Sequence, residues 1–253
     1  MPVALTRAVP RSLASCELTH LERSPIDVDR AAAEHALYEG ELRRAGCRVE
    51  HIEAAHQLPD SVFVEDTAVI FDELAVVTRP GARSRQPELG PVAAALAPYR
   101  AIERLTDPAT LDGGDVLRLG RTIYVGISTR TNVEGARQLA TAVSALGYTL
   151  RCIRVRGCLH LKSAVTALDD RTVLCNPAWV DARSFDGYEA VFVDPAEPFA
   201  GNVLRLSDVV ICAAAYRRTA AALCARGYEV RTVDVSELAK AEAGVTCCSL
   251  ILS

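Results

Sequence analysis

The stretch Asp115-Val116-Leu117-Arg118-Leu119-Gly120-Arg121-Thr122-Ile123-Tyr124-Val125 decides the fold. Two runs rich in apolar and β-branched residues flank a Gly-Arg pair, which reads as two antiparallel strands joined by a tight turn. The chain after Val125 does not continue as a third hairpin strand. It reads as a helix, Asn132 to Leu146, and then a single strand, Thr149 to Val155.

The same unit occurs on either side. Upstream, Thr67–Phe71 turns at Asp72-Glu73 into Ala75–Thr78, before a helix over Pro87–Tyr99 and a strand near Ala101–Leu105. Downstream, Ala164–Leu168 and Thr172–Cys175 precede a short helix over Val180–Phe185 and the strand Ala190–Val193. Asn202–Leu206 and Val209–Cys212 precede the helix Arg217–Arg226 and the strand Glu229–Val233. At the start, strand Val3–Ala8 leads through a loop, Ser15–Arg23, to a helix with Ser24 as N-cap and Pro25 in its first turn. That helix runs to Gly46, and strand Arg48–Glu53 comes next. A last helix, Ser236–Ala243, leads to an apolar segment, Gly244–Ser253, that reads as a final buried strand with Cys247 and Cys248 at its entrance.

Units thus return every roughly 35–50 residues, the spacing of a repeat architecture. Five are expected, the last formed by pairing the two chain ends. A hairpin in each unit disfavours a wholly parallel, doubly wound sheet. Each unit has a single face to bury, so closing five into a ring is the economical solution. The expectation is an α/β propeller of hairpin–helix–strand units with five-fold pseudo-symmetry, in one domain spanning 1–253.

Half of the 253 residues are apolar, enough for a sizeable core, and the net charge of −4 gives no reason to expect nucleic acid or an anionic membrane as partner. No apolar run approaches the roughly 18 residues of a membrane span. The N-terminus lacks the apolar core of a signal peptide. A cytoplasmic protein is expected, as a monomer or homodimer, with its nine cysteines reduced. No Cys-x-x-Cys pair suggests structural zinc.

Several residues have the chemistry of a site. Cys247 could act as a thiolate nucleophile, or both cysteines of the pair could be core residues. His160, in Cys158-Leu159-His160-Leu161-Lys162-Ser163, could deprotonate a thiol and protonate a leaving amine, or be a hydrogen-bonded core histidine. Asp112 opens Leu111-Asp112-Gly113-Gly114-Asp115. It could orient His160, or bond local amides in a turn. Asp60, Glu65 and Asp66 cluster around Phe63 in an otherwise apolar run. Such acids are costly to bury unless paired, and a planar guanidinium would pair them; a solvated turn is the other reading. Arg85 and Arg130 each follow a hairpin and could hold a substrate carboxylate, although surface arginines near helix starts need no function. The sum is a thiol-dependent enzyme acting on a carbon bonded to nitrogen, with a zwitterionic, amino-acid-like substrate.

Six motifs carry a closer resemblance: Asp60-Ser61-Val62-Phe63-Val64-Glu65-Asp66, Thr78-Arg79-Pro80-Gly81, Leu111-Asp112-Gly113-Gly114-Asp115-Val116, Arg130-Thr131-Asn132, Leu159-His160-Leu161-Lys162-Ser163 and Thr246-Cys247-Cys248-Ser249. In this order, and over nearly the whole chain, they resemble the dimethylarginine dimethylaminohydrolases of the guanidine-modifying, or pentein, superfamily. The resemblance implies the five-fold propeller and the hydrolysis of Nω-methylated arginines to citrulline and a methylamine, with no metal or other cofactor. It implies Cys247 as nucleophile, His160 as general acid and base, and Asp112 as the acid that orients it. Asp66 would bind the guanidinium, with Glu65, Asp60 and Phe63 lining the site. Arg85 and Arg130 would face the substrate's α-carboxylate, and Leu18 would lie in a mobile covering loop. Arginine deiminases carry an acid two residues after the histidine; Lys162 stands there, which argues against unmethylated arginine as best substrate. An arginine deiminase-type hydrolase and a non-catalytic binder of arginine-like metabolites are the alternatives.

Overall fold

Five three-stranded sheets hold every named strand of the computed structural model, which describes residues 1–252. The first comprises β15 (Leu250–Leu252), β1 (Val3–Arg7) and β2 (Arg48–Ile52). The second is β3 (Ala68–Ile70), β4 (Leu74–Val77) and β5 (Ala101–Arg104), and the third is β6 (Val116–Leu119), β7 (Thr122–Ile127) and β8 (Thr149–Arg154). The fourth is β9 (Val165–Ala167), β10 (Thr172–Cys175) and β11 (Glu189–Phe192), and the fifth β12 (Val203–Leu206), β13 (Val209–Ala213) and β14 (Glu229–Val233).

One pairing rule serves all five. The middle strand runs antiparallel to the strand before it and parallel to the strand after it, as in Val116↔Val125 and Thr122↔Thr149. In the first sheet the antiparallel partner comes from the C-terminus, with Val3↔Leu252 and Leu5↔Leu250. Parallel strands need a crossover. It is α1 (Val28–Arg44), α2 (Leu89–Leu96), α3 (Val133–Ser144) and α5 (Arg217–Ala225) in four units. In the fourth unit the expected helix over Val180–Phe185 is only a 3₁₀ turn, Ala182–Ser184, started by Asp181 accepting from the Arg183 N–H.

The core shows that the ring closes. Val3, Leu5, Val92 and Leu96 join the first and second units, and Val76, Leu111, Ile123 and Leu139 the second and third. Tyr124, Leu161, Val173 and Phe185 join the third and fourth, and Leu174, Val203, Val210 and Leu223 the fourth and fifth. Ala4, Tyr38, Leu42, Ile211 and Leu238 join the fifth to the first. The middle strands are buried almost throughout, while the parallel strands at the rim carry the exposed charges of Arg104, Arg151 and Glu229.

Each sheet's first strand is preceded by a tight turn of chain. These are the 3₁₀ turns Val64–Thr67 and Gly113–Asp115, the single helical turn α4 (Leu161–Ala164), the 3₁₀ turn Pro198–Gly201, and the turn over residues 245–248. Here the structure departs from the expected strand boundaries. Asp115 and Thr67 sit in these turns rather than in strands, and so do Cys247 and Cys248 ahead of β15. Ser253, the end of the expected final strand, lies outside the described residues. At α1 the expected cap is also displaced: Asp27, not Ser24, accepts the Arg30 N–H at 3.0 Å, so Ser24-Pro25 stays outside the helix. The last helix, α6 (Ser236–Ala239), stops four residues early. No helix among the described residues is long and apolar enough to cross a membrane.

Candidate active site

Asp66, His160 and Cys247, each from or next to one of these turns, meet at one cavity. This small cavity is lined by Cys247, His160, Asp66, Asp60, Phe63, Arg85 and Arg130, among others.

His160 lies between two carboxylates. Its Nε2 is 3.1 Å from Asp112 Oδ2 and its Nδ1 is 3.7 Å from Asp66 Oδ1. Burial works against a charged ring, but the Asp66 charge and the Asp112 hydrogen bond outweigh it and raise its pKa to about 9. The ring is an imidazolium at neutral pH. Asp112 is fully buried; the Gly81 N–H donates to its Oδ1 at 2.8 Å, and its own N–H donates to Thr131 Oγ1. Asp115 accepts the Leu161 N–H at 2.9 Å and the Ser128 hydroxyl at 2.6 Å, fixing the backbone next to His160.

The Gly113-Gly114 pair is there because nothing larger fits. A Cβ on Gly113 would stand 2.0 Å from the Glu65 carbonyl oxygen, and one on Gly114 would stand 2.6 Å from His160 Nδ1. The Gly114 N–H instead donates to Asp66 Oδ1 at 3.0 Å.

Asp66 is held well below the usual carboxylate range, at about 2. Burial opposes this, but the charges of His160 and Arg85 and the donors on its oxygens prevail. Asp60, by contrast, is pushed up to about 6 by burial.

Cys247 is half-buried, and Cys248 turns into the core. The Gly244 N–H donates to Cys247 Sγ at 3.2 Å. Burial raises the thiol pKa, and the charges of Glu65 and Asp66 raise it further, so the resting group is a thiol. Its loop is pinned by Thr246, whose hydroxyl donates to Glu65 Oε2 and whose N–H donates to Asn202.

Three expected contacts are placed differently. Arg85 does not stand ready for a substrate carboxylate. Its guanidinium is buried, donating to both Glu88 oxygens, to the Phe63 and Asp60 carbonyls, and through Nη1 to Asp66 Oδ2 at 2.5 Å. With His160, it is a counter-ion that keeps Asp66 charged. The Glu65 carboxylate is tied to Lys162 Nζ at 2.5 Å, while its backbone N–H donates to the Cys247 carbonyl at 3.1 Å. Leu18 packs on the core between the first and fifth units, and its neighbour Glu17 lines the site instead. Arg130 lines the cavity, with Nη2 3.1 Å from Thr19 Oγ1 and Nη1 4.0 Å from Asp112.

Glu88 and Glu242 do not stand out in the sequence. The i,i+3 spacing of Arg85 and Glu88 is the available signal for the first; nothing flags the second. Asp66, Asp112 and His160 also form a cluster with ligand atoms within 4.8 Å, of the kind that can hold a metal ion. The two carboxylates accept from Arg85, Gly114 and Gly81 and flank the His160 ring.

Comparison with known proteins gives the family. Residues 92–197 match the arginine deiminase family model. The N(G),N(G)-dimethylarginine dimethylaminohydrolase of Streptomyces coelicolor is 40% identical over 98% of this chain and 96% of its own length. The enzyme of the same name from Pseudomonas aeruginosa is 32% identical, over 97% of each chain. A solved structure of the Pseudomonas aeruginosa protein, a cysteine-to-serine mutant complexed with citrulline, superposes with a TM-score of 0.93 at 30% identity over 98% of both chains. The chain belongs to the dimethylarginine dimethylaminohydrolase family.

Proposed function

We propose that the protein hydrolyses Nω-methylated arginines to citrulline and methylamine or dimethylamine, with Cys247 as nucleophile. The observation that carries this is the pairing of a half-buried thiol with an imidazolium, His160, clamped by Asp112 and Asp66 in one acid-lined cavity.

A guanidinium placed against Asp66 adds positive charge beside Cys247, lowers the thiol pKa and releases its proton. The thiolate forms a bond to the guanidinium carbon. His160 donates its proton to the methylated nitrogen as the C–N bond breaks, and the amine leaves. A thiouronium adduct remains. The now neutral His160 takes a proton from water, the hydroxide adds to the same carbon, and the C–S bond breaks as the added hydroxyl gives its proton to the departing sulfur, leaving citrulline and the resting thiol. Arg130, buried in the cavity wall, suits the substrate's α-carboxylate. These residues come from the second, third, fourth and first units, so the unit of function is the whole chain, residues 1–253. Nine free cysteines fit a reducing, cytoplasmic setting.

Arginine deiminase activity is the second reading, favoured by the match over residues 92–197. Lys162 speaks against it: two residues after His160, where the deiminases carry an acid, it puts an ammonium, and that ammonium pairs with Glu65. The test is citrulline formation from asymmetric dimethylarginine, Nω-monomethylarginine and arginine, with reductant and chelator present. Turnover of the methylated substrates but not arginine is expected, falling on the order of 10⁴-fold or more in Cys247→Ser while ligand binding survives. Comparable turnover of arginine would move the assignment to the deiminases.

A further inference from the structure

Glu242 has no part in the proposed reaction, yet it stands in the wall of the cavity, five residues before Cys247. Its carboxylate reaches across to the first loop. Oε2 accepts the Thr19 N–H at 2.9 Å, and Oε1 accepts the His20 and Leu21 N–H groups at 2.5 and 2.6 Å. Three consecutive amides converging on one anion form a nest of the kind that binds free anions elsewhere. Here a side chain of the same protein fills it. Glu242 does so from a φ of 60°, a left-handed conformation that a residue other than glycine adopts only at a cost.

The loop so held reaches the site twice more. The Glu17 N–H donates to both oxygens of Asp60, and Thr19 Oγ1 accepts from Arg130. Beyond the Arg130 contact, the hydrogen bonds that hold residues 19–21 among the described residues all end on Glu242.

We infer that Glu242 is a positioning residue, a latch that ties the 19–21 loop to the nucleophile's own segment and so sets substrate affinity and release. This rests on the cavity being the substrate site. Opening the latch removes three charge-assisted hydrogen bonds at once and also frees the side chain that braces Arg130. A protein that is closed only part of the time binds correspondingly more weakly.

The test compares wild type with Glu242→Gly and Glu242→Gln, by amide hydrogen exchange and by steady-state kinetics on the methylated arginines. Glycine keeps the left-handed backbone and removes the carboxylate, so a purely conformational role would leave it like wild type. Glutamine keeps one acceptor oxygen. Exchange at residues 19–21 should quicken by about tenfold or more in Glu242→Gly, with Glu242→Gln between, and KM should rise by a similar factor without a matching fall in kcat. Unchanged exchange in Glu242→Gly overturns the latch. Faster exchange with unchanged KM overturns its link to affinity. A fall in kcat at constant KM places the effect at Cys247 instead. If wild type turns over no methylated arginine, the substrate reading falls, and exchange still decides whether Glu242 holds the loop.

Discussion

At the scale of the residue, the site is a balance of charges in a buried space. His160 is raised from its ordinary 6.5 to about 9, so its contribution to stability is complete below pH 6.5 and is lost as pH climbs through 9. Asp66 behaves oppositely: lowered from 3.8 to about 2, it contributes above 3.8 and loses that contribution on acidification toward 2. Replacing His160 with glutamine should therefore cost more at pH 6 than at pH 10, by about 3 kcal/mol. Denaturant melts of both proteins at the two pH values measure this; a gap indifferent to pH would mean the ring is neutral. The same charges govern Cys247. Alkylation of Cys247, tracked by mass spectrometry, should be slow at pH 7 and accelerate when a guanidinium ligand that cannot be hydrolysed is added. Slower alkylation with the ligand bound, in wild type and in Asp112→Asn alike, would count against substrate-assisted ionisation.

At the scale of the element, the decisive pieces are the short turns before each first strand, and these were the least legible in sequence. The hairpins and crossover strands announced themselves through β-branched runs and turn residues. A turn of three or four residues has no period to read, so Asp115 and Thr67 looked like strand. The glycines were legible, because Gly113-Gly114 has one evident use, close backbone approach. Their partners, Glu65 and His160, which make the approach close, were not. Substitution separates the two positions. Gly113→Ala forces a backbone carbonyl aside and should destabilise by several kcal/mol, on the order of 3. Gly114→Ala presses on a side chain, His160, and should cost more in kcat than in melting temperature. Thermal melts beside kinetics distinguish them. Equal effects in both assays would mean that the turn moves as one body. The arginines show the opposite limit. Arg85 and Arg130 look alike in sequence and both are buried, and only the structure reveals that one is tied to Glu88 and Asp66 while the other meets Thr19 beside Asp112.

At the scale of the whole molecule, the repeat was legible because five closing strands recur along the chain, and ring closure followed because a single-faced unit needs two neighbours. Closure has a thermodynamic signature. Every core cluster is shared by two units, so none can unfold without exposing its neighbours' side chains. Leu96→Ala, between the first and second units, and Leu223→Ala, between the fourth and fifth, should each cost about 2–5 kcal/mol. Both should lower one common transition, seen alike by circular dichroism and by loss of citrulline formation. Two separate transitions in either variant would show that the ring opens by parts.

The convergence of equivalent turns also bears on how such a molecule changes over generations. Each unit brings a side chain toward the centre from the chain just ahead of its first strand, at an offset that differs from unit to unit. Asp66, Asp112, His160 and Cys247 fill four of these places with titratable groups, and Asn202 fills the fifth with an amide that binds Thr246 and the Lys162 carbonyl. New chemistry in this scaffold does not require a new fold or a new pocket. It requires a different distribution of side chains among five places that the repeat supplies by construction, and the neutral fifth is the one where a change disturbs no existing charge.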